Sequence, residues 1–72
     1  MNKKTVSLKP GEEYITLNVL LKITDIISTG GMAKVFLAEN SVLVNGVSEN
    51  RRGRKLYHGD VIEVLNHTFI IE

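Results

Sequence analysis

The sequence contains no cysteine and no tryptophan, and it has only one proline. The absence of cysteine excludes disulfide bonds, thiolate zinc sites and cysteine nucleophiles. A chain of 72 residues that folds without such cross-links suits a reducing compartment, so we expect a cytoplasmic protein. A chain of this length has room for one domain, with one hydrophobic core and one interaction surface.

Long apolar segments are also missing. No run approaches the roughly 18 consecutive apolar residues that a membrane-spanning helix needs. The opening "MNKKTVSLKPGEE" has basic residues without an apolar stretch after them, which is not the pattern of a secretory signal. We therefore expect no membrane partner.

Groups suited to catalysis are few. His58 lies beside Asp60 in a turn, but the pair has no candidate third ligand for a metal ion. No serine lies in the G-x-S-x-G or S-x-x-K context of known nucleophiles. The sequence thus predicts a protein that is not an enzyme, with no metal, no cofactor and no small-molecule substrate.

Positive charge is unevenly distributed along the chain. Nine basic residues almost balance eight acidic ones, yet four of the nine lie between positions 51 and 55: Arg51, Arg52, Arg54 and Lys55. A local potential can attract an anionic partner even when the net charge is near zero. Arginine suits phosphate because its planar guanidinium donates two parallel hydrogen bonds. The alternative is a solvated loop that keeps the protein soluble; the density of arginine favours the anionic partner.

The pattern of apolar and turn residues predicts a small α+β domain, with two short packed helices followed by a mostly antiparallel sheet. Residues 1–13 are predicted to form an N-terminal arm or short strand, and residues 14–72 the single domain. Thr16 is the predicted N-cap of the first helix, and Gly30 the left-handed residue that ends it. The buried stripe of this helix is predicted to include Leu17, Leu20, Leu21 and Ile27.

The second helix is predicted in "GMAKVFLAEN", with Met32, Ala33, Phe36 and Leu37 buried and Asn40 as its stop. The Asn45-Gly46 pair between apolar residues then predicts a β-hairpin with a type I′ turn. "VIEVL" and "TFIIE" are predicted to be strands that pair with each other.

Two glycines precede the second helix in "TGGMAK". Gly30 and Gly31 would leave the first amides of that helix accessible to an anion, and Lys34 lies one turn in, where it could reach a phosphate. The alternative is that Gly30 caps the first helix and Gly31 allows the two helices to pack closely. Taken alone, the motif favours this structural interpretation.

Two further side chains are candidates for contact with a nucleotide. The amide of Asn45 could reach one, although the main role predicted for this residue is the positive φ of the turn. Tyr57 is the aromatic residue nearest the basic cluster, and it is the best candidate for stacking on a base.

Taken in order, these motifs resemble the αL RNA-binding domain named after small-subunit ribosomal protein S-four, and in particular its small, free-standing bacterial members of the YaaA type. The resemblance covers about residues 14 to 65. The matching stretches are Thr29-Gly30-Gly31, Ala33-Lys34, Val42 to Gly46, Glu49 to Leu56, and Gly59-Asp60.

The resemblance implies a protein that binds structured RNA, such as ribosomal RNA or an assembling ribosomal particle, without catalysing a reaction. Helix one would be a scaffold. The implied RNA-binding face, with Asn45 at its edge, consists of Gly30, Gly31, Lys34, Arg51, Arg52, Arg54 and Lys55.

Two other functions are compatible with the order of elements. One is a winged helix-turn-helix that binds DNA, although the second helix offers Lys34 as its only cation for reading base edges. The other is an adaptor that binds an acidic patch on a protein. The sequence does not predict the oligomeric state.

Overall fold

Residues 2–72, the part of the chain described by the computed structural model, form two short helices, a five-stranded main sheet and a two-stranded small sheet. This confirms the predicted α+β class. In chain order the elements are β1 (Asn2–Val6), β2 (Tyr14–Thr16), α1 (Leu17–Ile23), a 3₁₀ turn (Gly30–Met32), α2 (Ala33–Glu39), β3 (Val42–Val44), β4 (Val47–Ser48), β5 (Lys55–Tyr57), β6 (Val61–Val64) and β7 (His67–Ile71).

The main sheet has the strand order β1-β7-β6-β3-β4. Its neighbouring strands are antiparallel except for β1, which pairs with β7 in parallel. The predicted pairing of "VIEVL" with "TFIIE" is confirmed, since Ile62 lies opposite Phe69. Five residues of the predicted N-terminal arm, Asn2–Val6, thus form an edge strand of this sheet; Met1, the first residue of the arm, lies outside the described residues.

Helix α1 begins as predicted but ends earlier. The Thr16 hydroxyl accepts a hydrogen bond from the Val19 amide, which confirms the N-cap. The helix stops at Ile23 because the Thr24 hydroxyl bonds the Leu20 carbonyl and Asp25 takes the left-handed conformation, with φ 61°. The prediction that Gly30 would fill this role was wrong.

The residues after α1 turn back into the core. The amides of Ile26 and Ile27 both donate to the Leu21 carbonyl, and the Ile27 side chain is buried. These hydrogen bonds make the chain reverse direction directly after α1. A helix that continued to Gly30 would not allow this reversal. The buried stripe predicted for Leu17, Leu20, Leu21 and Ile27 is confirmed, although Ile27 reaches the core from the turn.

Helix α2 follows the 3₁₀ turn and ends where predicted. Ala33 and Leu37 are buried and Phe36 is half-buried against the core. Asn40 caps the helix, with its Nδ2 donating to the Phe36 carbonyl at 3.0 Å. Met32 was expected in the buried stripe but is exposed, because it lies in the 3₁₀ turn and not in the helix.

The small sheet was not predicted from the sequence. In it β2 pairs with β5, so that Tyr14 lies opposite Tyr57 and Ile15 opposite Leu56. Ile15 and Leu56 point into the core. The small sheet therefore joins the segment before α1 to the segment that follows the basic cluster.

The two hairpin turns of the main sheet contain non-glycine residues with positive φ. Asn45 and Gly46 have φ 52° and 82°, which confirms the predicted type I′ turn. Leu65, between β6 and β7, has φ 54° and an exposed side chain. Leucine in this region carries steric strain that glycine avoids.

We expect Leu65→Gly to raise the free energy of unfolding by about 0.5 kcal/mol, since relief of the left-handed strain exceeds the added freedom of the unfolded chain. Urea denaturation monitored by circular dichroism measures the change. Leu65→Ala is the matched control: it removes the same exposed side chain but keeps Cβ, and should give no gain. A lower free energy of unfolding for Leu65→Gly than for the wild type would contradict the claim that Leu65 is strained.

Candidate functional site

The basic cluster lies on a loop that we call the arginine loop, residues 49–54, between β4 and β5. Its first residue, Glu49, is only 7% exposed. The Glu49 carboxylate accepts hydrogen bonds from Nε and Nη2 of Arg51, at 3.0 and 3.1 Å, and from Nη1 of Arg54, at 2.8 Å. It also accepts from the backbone amides of Asn50 and Arg51. One buried carboxylate thus orients two guanidinium groups.

These contacts shift the pKa of the Glu49 carboxyl group. Hydrogen bonds from the Arg51 side chain, helped by the Arg51 amide and Arg54, lower the pKa of Glu49 to about 2, although burial opposes the shift. The same pair raises the pKa of Arg51. Glu49 is therefore ionised at neutral pH in spite of its burial.

Glu49 does not cancel the positive charge of the loop and the residue after it. Residues 49–55 contain four cations and a single acid. The Arg51 side chain is 72% exposed. A guanidinium has five N–H donors. Arg51 and Arg54 use only some of theirs to bind Glu49, so each has donors left for another acceptor. The loop therefore presents an excess of positive charge in an ordered arrangement.

The first turn of α1 holds the backbone of the arginine loop. The amide of Leu17 donates to the Arg54 carbonyl, and the amide of Asn18 donates to the Arg52 carbonyl, both at 2.9 Å. Within the loop, the Arg54 amide donates to the Arg51 carbonyl. Amides at a helix N-terminus have no partner inside the helix, so the loop supplies acceptors that α1 needs. The positions of the arginines thus depend on α1.

Lys34 and Arg52 line the same surface depression. It has a volume of about 360 Å³, and Leu37, Asn50, Arg51 and Gly53 complete its wall. Lys34 lies in the first turn of α2 and is exposed. The structure therefore places the cation of α2 beside the arginine loop.

Lys55 lies on the other side of the arginine loop, where Tyr57 and Asp60 form a second depression with Arg51, Gly53 and Arg54. Its volume is about 580 Å³. Arg51 and Gly53 line both depressions, so the two adjoin at these residues. Each of the four cations of the cluster borders at least one of the two depressions.

The two glycines lie differently from the cations. A Cβ added at Gly30 would come within 3.4 Å of Nδ2 of Asn18 in α1, so this glycine lies close against the first helix. Gly31 lines a separate, largely apolar depression with Met32 and Val35. Gly30 thus lies against the Asn18 side chain of α1, and Gly31 lines neither of the two depressions beside the arginine loop.

The side chain of Asn45 is used within the fold. Its Nδ2 donates to Oδ1 of Asp60 at 3.0 Å, and its Oδ1 accepts from the Val61 amide at 2.9 Å. Asp60 in turn accepts from the Tyr57 amide at 2.7 Å. Asn45 therefore adjoins the second depression through Asp60, and it joins the β3–β4 hairpin to β6.

Glu49 and Tyr14 belong to this site but were not predicted from the sequence. An acid two residues before the first of the arginines was a signal, because opposite charges close in sequence can form an ion pair. No local pattern indicated Tyr14, because its position depends on the pairing of β2 with β5.

Among residues 2–72, no three side chains of His, Asp or Glu come together in a way that could hold a metal ion. None of the helices in this range has the length and apolar character that crossing a bilayer requires.

We expect Glu49→Gln to lower the free energy of unfolding by about 1 to 3 kcal/mol at pH 7, because the variant loses the charge that pairs with Arg51 and Arg54. Because the pKa of Glu49 is lower in the folded protein, its ionised carboxylate stabilises the fold at any pH above the unfolded-state pKa, which is near 4.5. This stabilisation is lost as the pH falls towards the folded-state pKa of about 2. The difference between wild type and variant should therefore shrink between pH 5 and pH 2, as measured by urea denaturation.

The control for this comparison is Glu13→Gln, which removes an exposed carboxylate before β2. Its stability should follow that of the wild type at each pH. A Glu49→Gln protein as stable as the wild type at pH 7 would show that the carboxylate does not hold the loop.

Comparisons with known proteins agree with this structure. The model of the S4 domain family matches residues 8–72. A relative in Bacillus subtilis (strain 168), named "Probable ribosome maturation protein RlbA", is 62% identical over 52 residues, which make up 72% of this chain and 73% of the relative. The matched residues include both helices and the arginine loop. The chain belongs to the S4 domain family.

Proposed function

We propose that this chain is a non-catalytic, cytoplasmic RNA-binding protein that binds structured RNA through the arginine loop, Lys34 and Lys55. Membership of the S4 domain family supports RNA binding. The name of the Bacillus subtilis relative supports a role in ribosome maturation, with ribosomal RNA or an assembling ribosomal particle as partner. The observation that carries the proposal is the buried Glu49 carboxylate, which orders Arg51 and Arg54 on the surface.

The arrangement suits phosphate groups on a folded RNA. Arg51 and Arg54 are held in place before any ligand binds, so fewer rotamers must be ordered on binding. Arg52 and Lys34 border one depression and Lys55 the other, so the cations can contact successive phosphates. Such contacts read the shape of an RNA helix and not its base sequence.

The surface of α2 favours this function over a DNA-binding helix-turn-helix. Ala33 and Leu37 are buried, and the exposed positions include Lys34, Val35 and Glu39. A recognition helix needs several polar or basic side chains for the base edges in the major groove. One cation beside an apolar and an acidic residue does not meet that need.

Filter binding to a short RNA hairpin at several salt concentrations tests the proposal. With about five phosphate contacts, the logarithm of the binding constant should fall against that of the salt concentration with a slope of roughly −3.5 to −4.5. In Lys34→Gln/Arg52→Gln the slope should weaken by about 1.5, and the affinity should fall at least tenfold. Neither change removes an atom that contacts Glu49.

The matched control is Lys4→Gln/Lys9→Gln, which removes the same charge from exposed positions of the N-terminal segment. Its slope and affinity should stay close to those of the wild type. Equal losses in both double variants would show that net charge, and not this surface, attracts RNA. Tighter binding to a DNA duplex than to RNA at the same salt would contradict the assignment to RNA.

A further inference from the structure

The small sheet presents an aromatic outer face beside the arginine loop. Ile15 and Leu56 point inwards, so the alternation of strand residues turns Tyr14, Tyr57 and Lys55 outwards. The two tyrosine side chains are 38% and 45% exposed. Exposed aromatic rings beside clustered arginines point to a ligand that has both a flat face and a negative charge.

The two tyrosines differ in how their rings are used. The ring centroids lie 5.6 Å apart, with the planes tilted by 51°. Lys55 Nζ lies over the Tyr14 ring, 5.0 Å from its centroid. The Tyr14 ring thus contacts Tyr57 and Lys55 within the small sheet, whereas Tyr57 forms part of the wall of the second depression.

Charge is distributed asymmetrically around that depression. Arg51, Arg54 and Lys55 bring positive charge, whereas the Asp60 carboxylate, which accepts a hydrogen bond from the Tyr57 amide, brings negative charge beside Tyr57. A phosphate is attracted towards the arginines and repelled by Asp60. A nucleobase carries no charge and can lie against Tyr57. The depression is open to solvent, with a volume of about 580 Å³.

We propose that the second depression holds one unpaired nucleotide of the bound RNA, with its base stacked on the Tyr57 ring and its phosphate on Arg54 and Lys55. This inference rests on the proposed function and specifies the RNA that the surface prefers. A base inside a continuous duplex has both faces covered by its neighbours and cannot stack on a side chain. The preferred RNA is therefore a paired segment next to an unpaired nucleotide, whose identity matters little because every base has an aromatic face.

Two hairpin RNAs with the same stem test this inference, one fully paired and one with a single unpaired 2-aminopurine in the stem. The full-length wild type should bind the second RNA more tightly than the first and quench its fluorescence. Tyr57→Leu should weaken binding of the second RNA by about 5- to 150-fold and abolish the quenching. Tyr57→Phe keeps the ring, so its affinity for the second RNA should stay within about twofold of the wild type.

The fully paired RNA serves as the control for folding and for the cation surface. Tyr57→Leu should bind it like the wild type, with the same dependence on salt. A Tyr57→Leu protein that binds and quenches the second RNA like the wild type would overturn the stacking, as would equal losses on both RNAs. If the wild type bound neither RNA in a salt-dependent manner, the proposed function itself would be wrong, and not only its refinement.

Discussion

The buried carboxylate of Glu49 is the constraint on which the rest of the surface depends. Without it, adjacent arginines would repel one another and sample many rotamers. With it, Arg51 and Arg54 share one acceptor, and their backbone is tied to the first turn of α1 through the amides of Leu17 and Asn18. The loop therefore keeps most of its positive charge and gains a fixed shape. A small domain with a formal net charge of only +1 can in this way maintain a strongly cationic surface.

The fold supports this surface with few elements. Helix α1 buries Leu17, Leu20 and Leu21 in the core while its first amides bind the arginine loop. The small sheet fixes the other end of the loop, because β5 begins directly after Arg54 and pairs with the strand that leads into α1. The core, α1 and the arginine loop are therefore structurally coupled, so a substitution in one should alter the conformation or stability of the others.

Much of this architecture could be predicted from the sequence, because it depends on local signals. The cap at Thr16, the stop at Asn40 and the turn at Asn45 follow from the hydrogen-bonding and backbone preferences of those residues. The early end of α1 was missed because Asp25, and not the glycine at position 30, takes the left-handed conformation. Local preference does not decide between two such candidates.

The candidate site was only partly predictable, because its geometry depends on contacts between distant segments. The arginines and Lys34 could be proposed from composition and motif, and in the structure they line two depressions that share Arg51 and Gly53. The place of Tyr14 beside Tyr57, and the use of Asn45 to join two strands, depend on strand pairing. The sequence likewise did not show that Gly31 would face an apolar depression away from the arginine loop.

A titration of the ¹⁵N-labelled protein with a hairpin RNA, followed by ¹H–¹⁵N spectra that include the arginine Nε–H signals, tests the central claim most directly. In the free protein the Nε–H signal of Arg51 should be visible and sharp, because Glu49 holds it. On addition of RNA, the signals of the arginine loop, Lys34 and Lys55 should shift, while those of Lys4 and Thr5 in β1 should not. Shifts centred on Ile26, Met32 and Val35 instead, with the arginine loop unchanged, would contradict the account.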